Sequence, residues 1–242
     1  MISILYSEIM NAGDLKRATK DLVSRCLAKF DDTSASLDLR AFALSIVVSQ
    51  ISNGNGAMLT YVPEIFEHLR DSSILTLTVS GTEVRDFHRQ VISAVSVVID
   101  SLRENLVDGW FGPVVQYLVQ LIACQDLEIA DLACEFWSNY SGIPVAVESV
   151  RESWMEALEP QLPKLITALM DQMVLRENVE ISSFETLRQP AAKALESVTK
   201  ASPELVCSTF IPLLEMRIKS DSWSEKEAAI RAFRAFTNAS GE

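Results

Sequence analysis

Two histidines, four cysteines, eight glycines and eight prolines are all that 242 residues contain of these types, and each scarcity closes off a class of protein. Folds built from many tight turns draw heavily on Gly and Pro, so an all-β architecture is disfavoured. His68 and His88 stand twenty residues apart, outside any HExxH pattern, and no CxxC pair occurs, so a zinc site has little support. No GxSxG elbow, GxxxxGK[ST] loop or GxGxxG turn is present. Gly54 and Gly56 follow a helical pattern and read as a helix stop. Acidic pairs such as Glu128 and Asp131 read as solvated surface. The chain is therefore expected to be no enzyme, with no catalytic residue, metal or cofactor.

Clustered positive charge is also missing. The net charge is −12, and the densest basic stretch is the separated set Lys219, Lys226, Arg231 and Arg234. A nucleic-acid binder needs clustered Lys and Arg to displace counterions, so direct nucleic-acid contact is excluded. Apolar runs such as 91–99 (VISAVSVVI) are about half the length that crosses a bilayer, and the first residues lack the basic start of a signal peptide, so no membrane insertion is expected. Cys26, Cys124, Cys134 and Cys207 are far apart and lie in or beside apolar helical patterns. They read as reduced thiols, mostly in the core, of a cytosolic or nuclear protein.

What is present is helical periodicity. Residues 14–30 place Leu15, Ala18, Leu22, Cys26 and Phe30 near one face. Residues 36–52 do the same with Leu39, Phe42, Ala43, Ile46, Val47 and Ile51, capped by Ser36 and ended by Asn53-Gly54-Asn55-Gly56. Helices are expected at 58–72, with Pro63 near the start, and at 83–102. In the latter the spacing of Val84, Phe87, Val91, Ala94 and Val98 outweighs a high β-branched content. Further helices follow at 110–123, 127–140, 156–176 (Pro160 and Pro163 at its start), 186–201, 203–219 and 224–239, with a polar stretch at 177–185.

Aligning the second helix of each pair exposes a repeat. LRAFALSIV from Leu39, VRDFHRQVI from Val84, IADLACEFW from Ile129, LRQPAAKAL from Leu187 and EKEAAIRAF from Glu225 start 45, 45, 58 and 38 residues apart. Three begin with an aliphatic residue followed by Arg40, Arg85 or Arg188. Units of about 40–47 residues are those of HEAT or armadillo repeats, and pairs without a short extra helix favour HEAT. A lone pair cannot cover its own apolar stripe, so each buries it against the next. The expected fold is all-α: one right-handed α-solenoid over 1–242 of about five HEAT-type pairs, at approximately 14–53, 58–102, 110–140, 145–201 and 203–239.

A solenoid usually binds through the concave face lined by its second helices. On 127–140 the stripe Ile129, Leu132, Ala133 and Phe136 is expected to be buried. Glu128, Asp131, Glu135 and Ser138 should share the adjacent exposed side, with Trp137 at the boundary. An indole beside three carboxylates suits an extended basic peptide; the alternative is that Trp137 is a packing residue and the carboxylates are an ordinary solvated surface.

At these residues the sequence resembles the importin-β/transportin (karyopherin-β) family of nuclear transport receptors. The resemblance rests on LACEFWSNYSG (132–142), QLPKLITALMDQM (161–173) and SDSWSEKEAAIRAFRAFTNASGE (220–242), in that order, over roughly 132–242. It implies a superhelix of HEAT repeats in cytoplasm and nucleus. Cargo signals and the GTPase Ran would bind on the inner surface and FG-repeat nucleoporins on the outer. By position it puts Glu135, Trp137 and Asn139 on an inner second helix, and Trp223 and Glu227 near the start of another. A complete receptor is several times longer, and the stretch at 177–185 is less acidic than the loop some members carry there, which leaves Ran coupling open. The expected function is a protein-binding segment of such a receptor, recognising cargo signals, basic import-signal peptides among them, or transport partners. The alternative is a HEAT scaffold in another assembly.

Overall fold

Apolar residues recurring every three or four positions over most of the chain demand helices that cover one another, and that is the architecture found. A computed structural model describes residues 12–53, 56–71, 82–101, 111–124, 126–140, 148–174 and 181–240, and among these no strand occurs. No described helix is long and apolar enough to cross a membrane. The chain divides into two compact units, Met1–Arg103 and Glu104–Glu242.

The first unit holds α1 (Ala12–Asp31), α2 (Leu37–Ser52), a 3-10 turn (Gly56–Tyr61), α3 (Val62–Asp71) and α4 (Thr82–Ser101). α1 pairs with α2 and α3 with α4, and the two second helices, α2 and α4, pack extensively on each other. The Ser36 hydroxyl caps α2, accepting the Leu39 N–H at 3.3 Å. Asn53 is the C-cap of α2, at φ −78°, and Gly54 and Asn55 of the expected stop lie outside the described residues. α4 is helical despite its valines and isoleucines, because Val84, Phe87, Val91, Ala94 and Val98 are all buried. Tertiary burial overrides local propensity here.

Two expected stripes are rotated. Leu22 is partly exposed, and the core of α1 runs through Val23, Leu27 and Phe30. Leu39 and Phe42 of α2 are 45% and 63% exposed, while Ala43, Leu44 and Val47 are buried.

The second unit holds α5 (Phe111–Ile122), α6 (Leu127–Tyr140), α7 (Glu148–Leu158), a 3-10 turn (Glu159–Gln161), α8 (Leu162–Met173), α9 (Ile181–Ala201), α10 (Pro203–Ile218) and α11 (Trp223–Ser240). Two layers result. The second helices run α6, α9, α11, each packed on the next, and the first helices run α5, α8, α10. Among the described residues the two units hold five helix pairs, and the second unit has the additional helix α7, most of which precedes the expected helix start at 156. α7 seats Trp154 edge-on against Phe111 of α5, with ring centres 5.2 Å apart. Pro160 lies in the 3-10 turn and Pro163 in the first turn of α8, as expected. α9 begins at Ile181, five residues earlier than its expected start at 186, so half of the anticipated polar stretch is helix. Pro190 sits inside α9. It supplies no N–H to the carbonyl of residue 186, and that carbonyl lacks its usual helical donor.

The repeated arginine has a physical role. Arg40 Nε donates to the Phe30 carbonyl at 2.7 Å, and Arg188 Nε donates to the Met173 carbonyl at 2.8 Å. Both acceptors lie in the last turn of the preceding first helix, where carbonyls have no intrahelical donor. Each guanidinium then reaches the next second helix. Arg40 lies over the Phe87 ring of α4, 5.4 Å from its centre, and Arg188 pairs with Glu227 of α11. One side chain thus ties three helices in each unit. A further clasp joins α8, α10 and α11, where Arg217 pairs with Asp171 and, at 2.8 Å, with Glu225.

Candidate protein-binding groove

α6 starts on an Asp126 cap, whose Oδ1 accepts the N–H groups of Glu128 at 3.1 Å and Ile129 at 3.4 Å. That start fixes the rotation of the helix. Ile129, Ala130, Ala133, Cys134, Phe136 and Trp137 turn inward, whereas Glu128, Glu135 and Asn139 are exposed. Against the exposed side lies α9, and between them runs a groove of about 480 Å³ lined by Glu135, Ser138 and Asn139 of α6 and by Gln189, Pro190 and Lys193 of α9.

The groove is polar and of mixed charge. The Ser138 hydroxyl donates back to the Cys134 carbonyl at 2.9 Å, which leaves its oxygen as an acceptor. Among the described residues, Glu135, Asn139, Gln189 and Lys193 have no hydrogen-bond or ion-pair partner. Two carboxamides, a carboxylate and an ammonium are therefore open to a ligand. Each carboxamide can both donate and accept, which matches the alternating N–H and C=O of an extended peptide.

Of the expected site residues, Glu135 and Asn139 enter the groove. Glu128 lies about two turns before Glu135 on the exposed side of α6. Asp131 is half buried, and one of its carboxylate oxygens is buried without a hydrogen bond. Burial, and next the neighbouring Glu135, hold its carboxyl above the ordinary range. The same two acids, behind burial itself, push the Cys134 thiol up, so that buried cysteine is inert.

Trp137 does not form the expected aromatic platform. It is 0% exposed, meets Phe136 edge-on at 5.8 Å and lies 5.8 Å from Trp154. The reason is rotational: with Asp126 as cap, Trp137 falls in line with Ala130 and Ala133, toward the interior. Its indole N–H and that of Trp154 are both buried without an acceptor.

Trp223 is 72% exposed, at the first position of α11, away from the groove on α6 and α9. Glu227 is engaged within the fold by Arg188 and, at 3.4 Å, by Arg231. The sequence reading missed Gln189, Pro190 and Lys193. The repeat alignment contains the signal: laid on IADLACEFW, LRQPAAKAL puts Gln189 at the place of Asp131 and Lys193 at that of Glu135.

No family model matches the chain. Transportin-1 of Mus musculus is 23% identical over 167 residues, covering 69% of this chain, so the chain spans only 17% of that relative's length. A crystal structure of an engineered protein aligns with 90% of this chain and 97% of its own at 13% identity, but the TM-score of 0.28 carries no argument. The chain is thus an all-helical stack of pairs, consistent with the HEAT-repeat class and distantly similar to transportin.

Proposed function

We propose that the chain is a protein-binding segment related to nuclear transport receptors, and that the α6–α9 groove takes an extended segment of a cargo or transport partner. Asn139 and Gln189 bond the backbone of that segment, Glu135 pairs a basic side chain, and Lys193 takes an acidic side chain or a carbonyl oxygen. No bond of the ligand is made or broken, and no cofactor is used. The observation that carries the reading is the set of four partnerless polar groups converging from two second helices. The similarity to Transportin-1 supports a transport context, with activity in cytoplasm and nucleus.

Calorimetric titration of a basic import-signal peptide tests the site. The double variant Asn139→Ala/Gln189→Ala is expected to weaken binding at least tenfold with the fold intact, and unchanged affinity contradicts the assignment. Parallel capture of FG repeats and GTP-loaded Ran separates a transport receptor from a scaffold of another assembly. The scaffold reading gains from one observation, the mixed charge of the groove, because Lys193 works against a wholly basic ligand.

A further inference from the structure

On α11 the buried face is made of small residues, Ala228, Ala229, Ala232 and Ala235. Of the large apolar residues, Phe236 stacks on Phe210 of α10, with ring centres 4.8 Å apart, and three others point the other way. Trp223, Ile230 and Phe233 are 72%, 61% and 47% exposed and share one face by their spacing of seven and three. Isolated exposed apolar residues need no explanation, but three aligned on one helix do.

Charge identifies the occupant. Lys226, Arg234 and Thr237 fall on that same face by helical spacing, and neither cation has an ion-pair partner among the described residues. The acids of α11 cannot neutralise them: Glu225 is held by Arg217, and Glu227 by Arg188 and Arg231. Lys219 is paired with Glu215, and Asp221 lies in the turn ahead of the helix. In a chain of net charge −12, this face is locally apolar and positive.

We infer that the outer face of α11, through Trp223, Lys226, Ile230, Phe233 and Arg234, docks an amphipathic helix of another protein that carries acidic residues beside its apolar stripe. The apolar side chains supply burial, and the two cations select against basic helices. A second copy of this chain is a poor occupant, because two α11 faces would bring Lys226 and Arg234 against their own kind.

The test uses the 242-residue chain and two synthetic helix-forming peptides with the same leucine stripe, one carrying glutamates beside it and the other lysines. Fluorescence anisotropy is expected to show the glutamate peptide binding at least tenfold more tightly than the lysine peptide. Ile230→Asp/Phe233→Ser should abolish that binding with circular dichroism unchanged, since both residues are exposed. Lys226→Glu/Arg234→Glu should reverse the preference, and Asn139→Ala in the α6–α9 groove should have no effect. Equal affinity for both peptides, binding of neither, loss of binding through Asn139→Ala, or self-association that Ile230→Asp removes would each overturn the inference.

Discussion

α6 and α11 are both second helices of one unit, yet they use their large side chains in opposite ways. α6 turns Phe136 and Trp137 inward, beside Trp154, and shows solvent Glu128, Glu135 and Asn139. α11 turns alanines inward and shows Trp223, Ile230 and Phe233. Apolar content does not separate the two helices; what each side chain faces does. α6 packs against α5 and, extensively, α9, with Trp154 of α7 against its tryptophan, whereas α11 packs on α8, α9 and α10 and meets them with small residues. A tryptophan that meets other rings in the interior is structural, whereas Trp223, at the first position of its helix, stands exposed.

The largest effect that separates the helices is expected from truncating their tryptophans. Trp137→Ala should cost about 3–5 kcal/mol, because a fully buried ring leaves a cavity. Trp223→Ala should stay within about 0.5 kcal/mol. All four tryptophans lie in residues 104–242, so urea unfolding followed by indole fluorescence reports on this unit. A comparable loss from both variants would break the distinction.

Next in size is Arg188→Met, which removes the link from α8 and α9 to α11. A cost of about 2 kcal/mol is expected, below that of a fully buried pair because the Glu227 side chain is 31% exposed. Hydrogen exchange should quicken in α11 and leave α6 protected. Arg40→Met is the counterpart in the first unit. It removes a carbonyl bond and a ring contact but no ion pair, so its cost, read by circular dichroism, should be smaller and less dependent on salt.

A smaller effect of opposite sign is expected on α6. The Asp131 carboxyl is held above its ordinary value, so the folded state binds its proton more readily than the unfolded chain does. Its ionised form therefore costs stability at neutral pH. The cost is relieved as pH falls through the raised value and is gone below about 3.9, where the unfolded carboxyl is protonated too. Asp131→Asn should raise the melting temperature at pH 7 by about 2 °C, with the gain shrinking toward pH 4. A variant less stable than the parent at pH 7 would show that the carboxylate has a compensating partner.

The fold was legible because period and repeat agree: a stripe every three or four residues sets the helices, and the recurring aliphatic-Arg start marks the second helix of a pair. Arg40 and Arg188 show why that dipeptide recurs, since each bonds the carbonyl end of the preceding helix. Rotation was less legible. Trp137 borders its expected apolar stripe and Phe42 belongs to one, and only the neighbouring helices decide that the first is buried and the second exposed. Half of the groove was readable from one helix, through Glu135 and Asn139. The other half belongs to α9, about fifty residues away in sequence and adjacent only through packing.

Photocrosslinking tests the binding surface most directly. A benzophenone amino acid at Asn139, on the second-helix side, is compared with one at Ser208, an exposed residue of the first helix α10. With a basic import-signal peptide as ligand, capture at 139 and none at 208, suppressed by excess unlabelled peptide, is the expected result. Equal capture at both positions, or capture at 208 alone, would contradict a ligand held between α6 and α9.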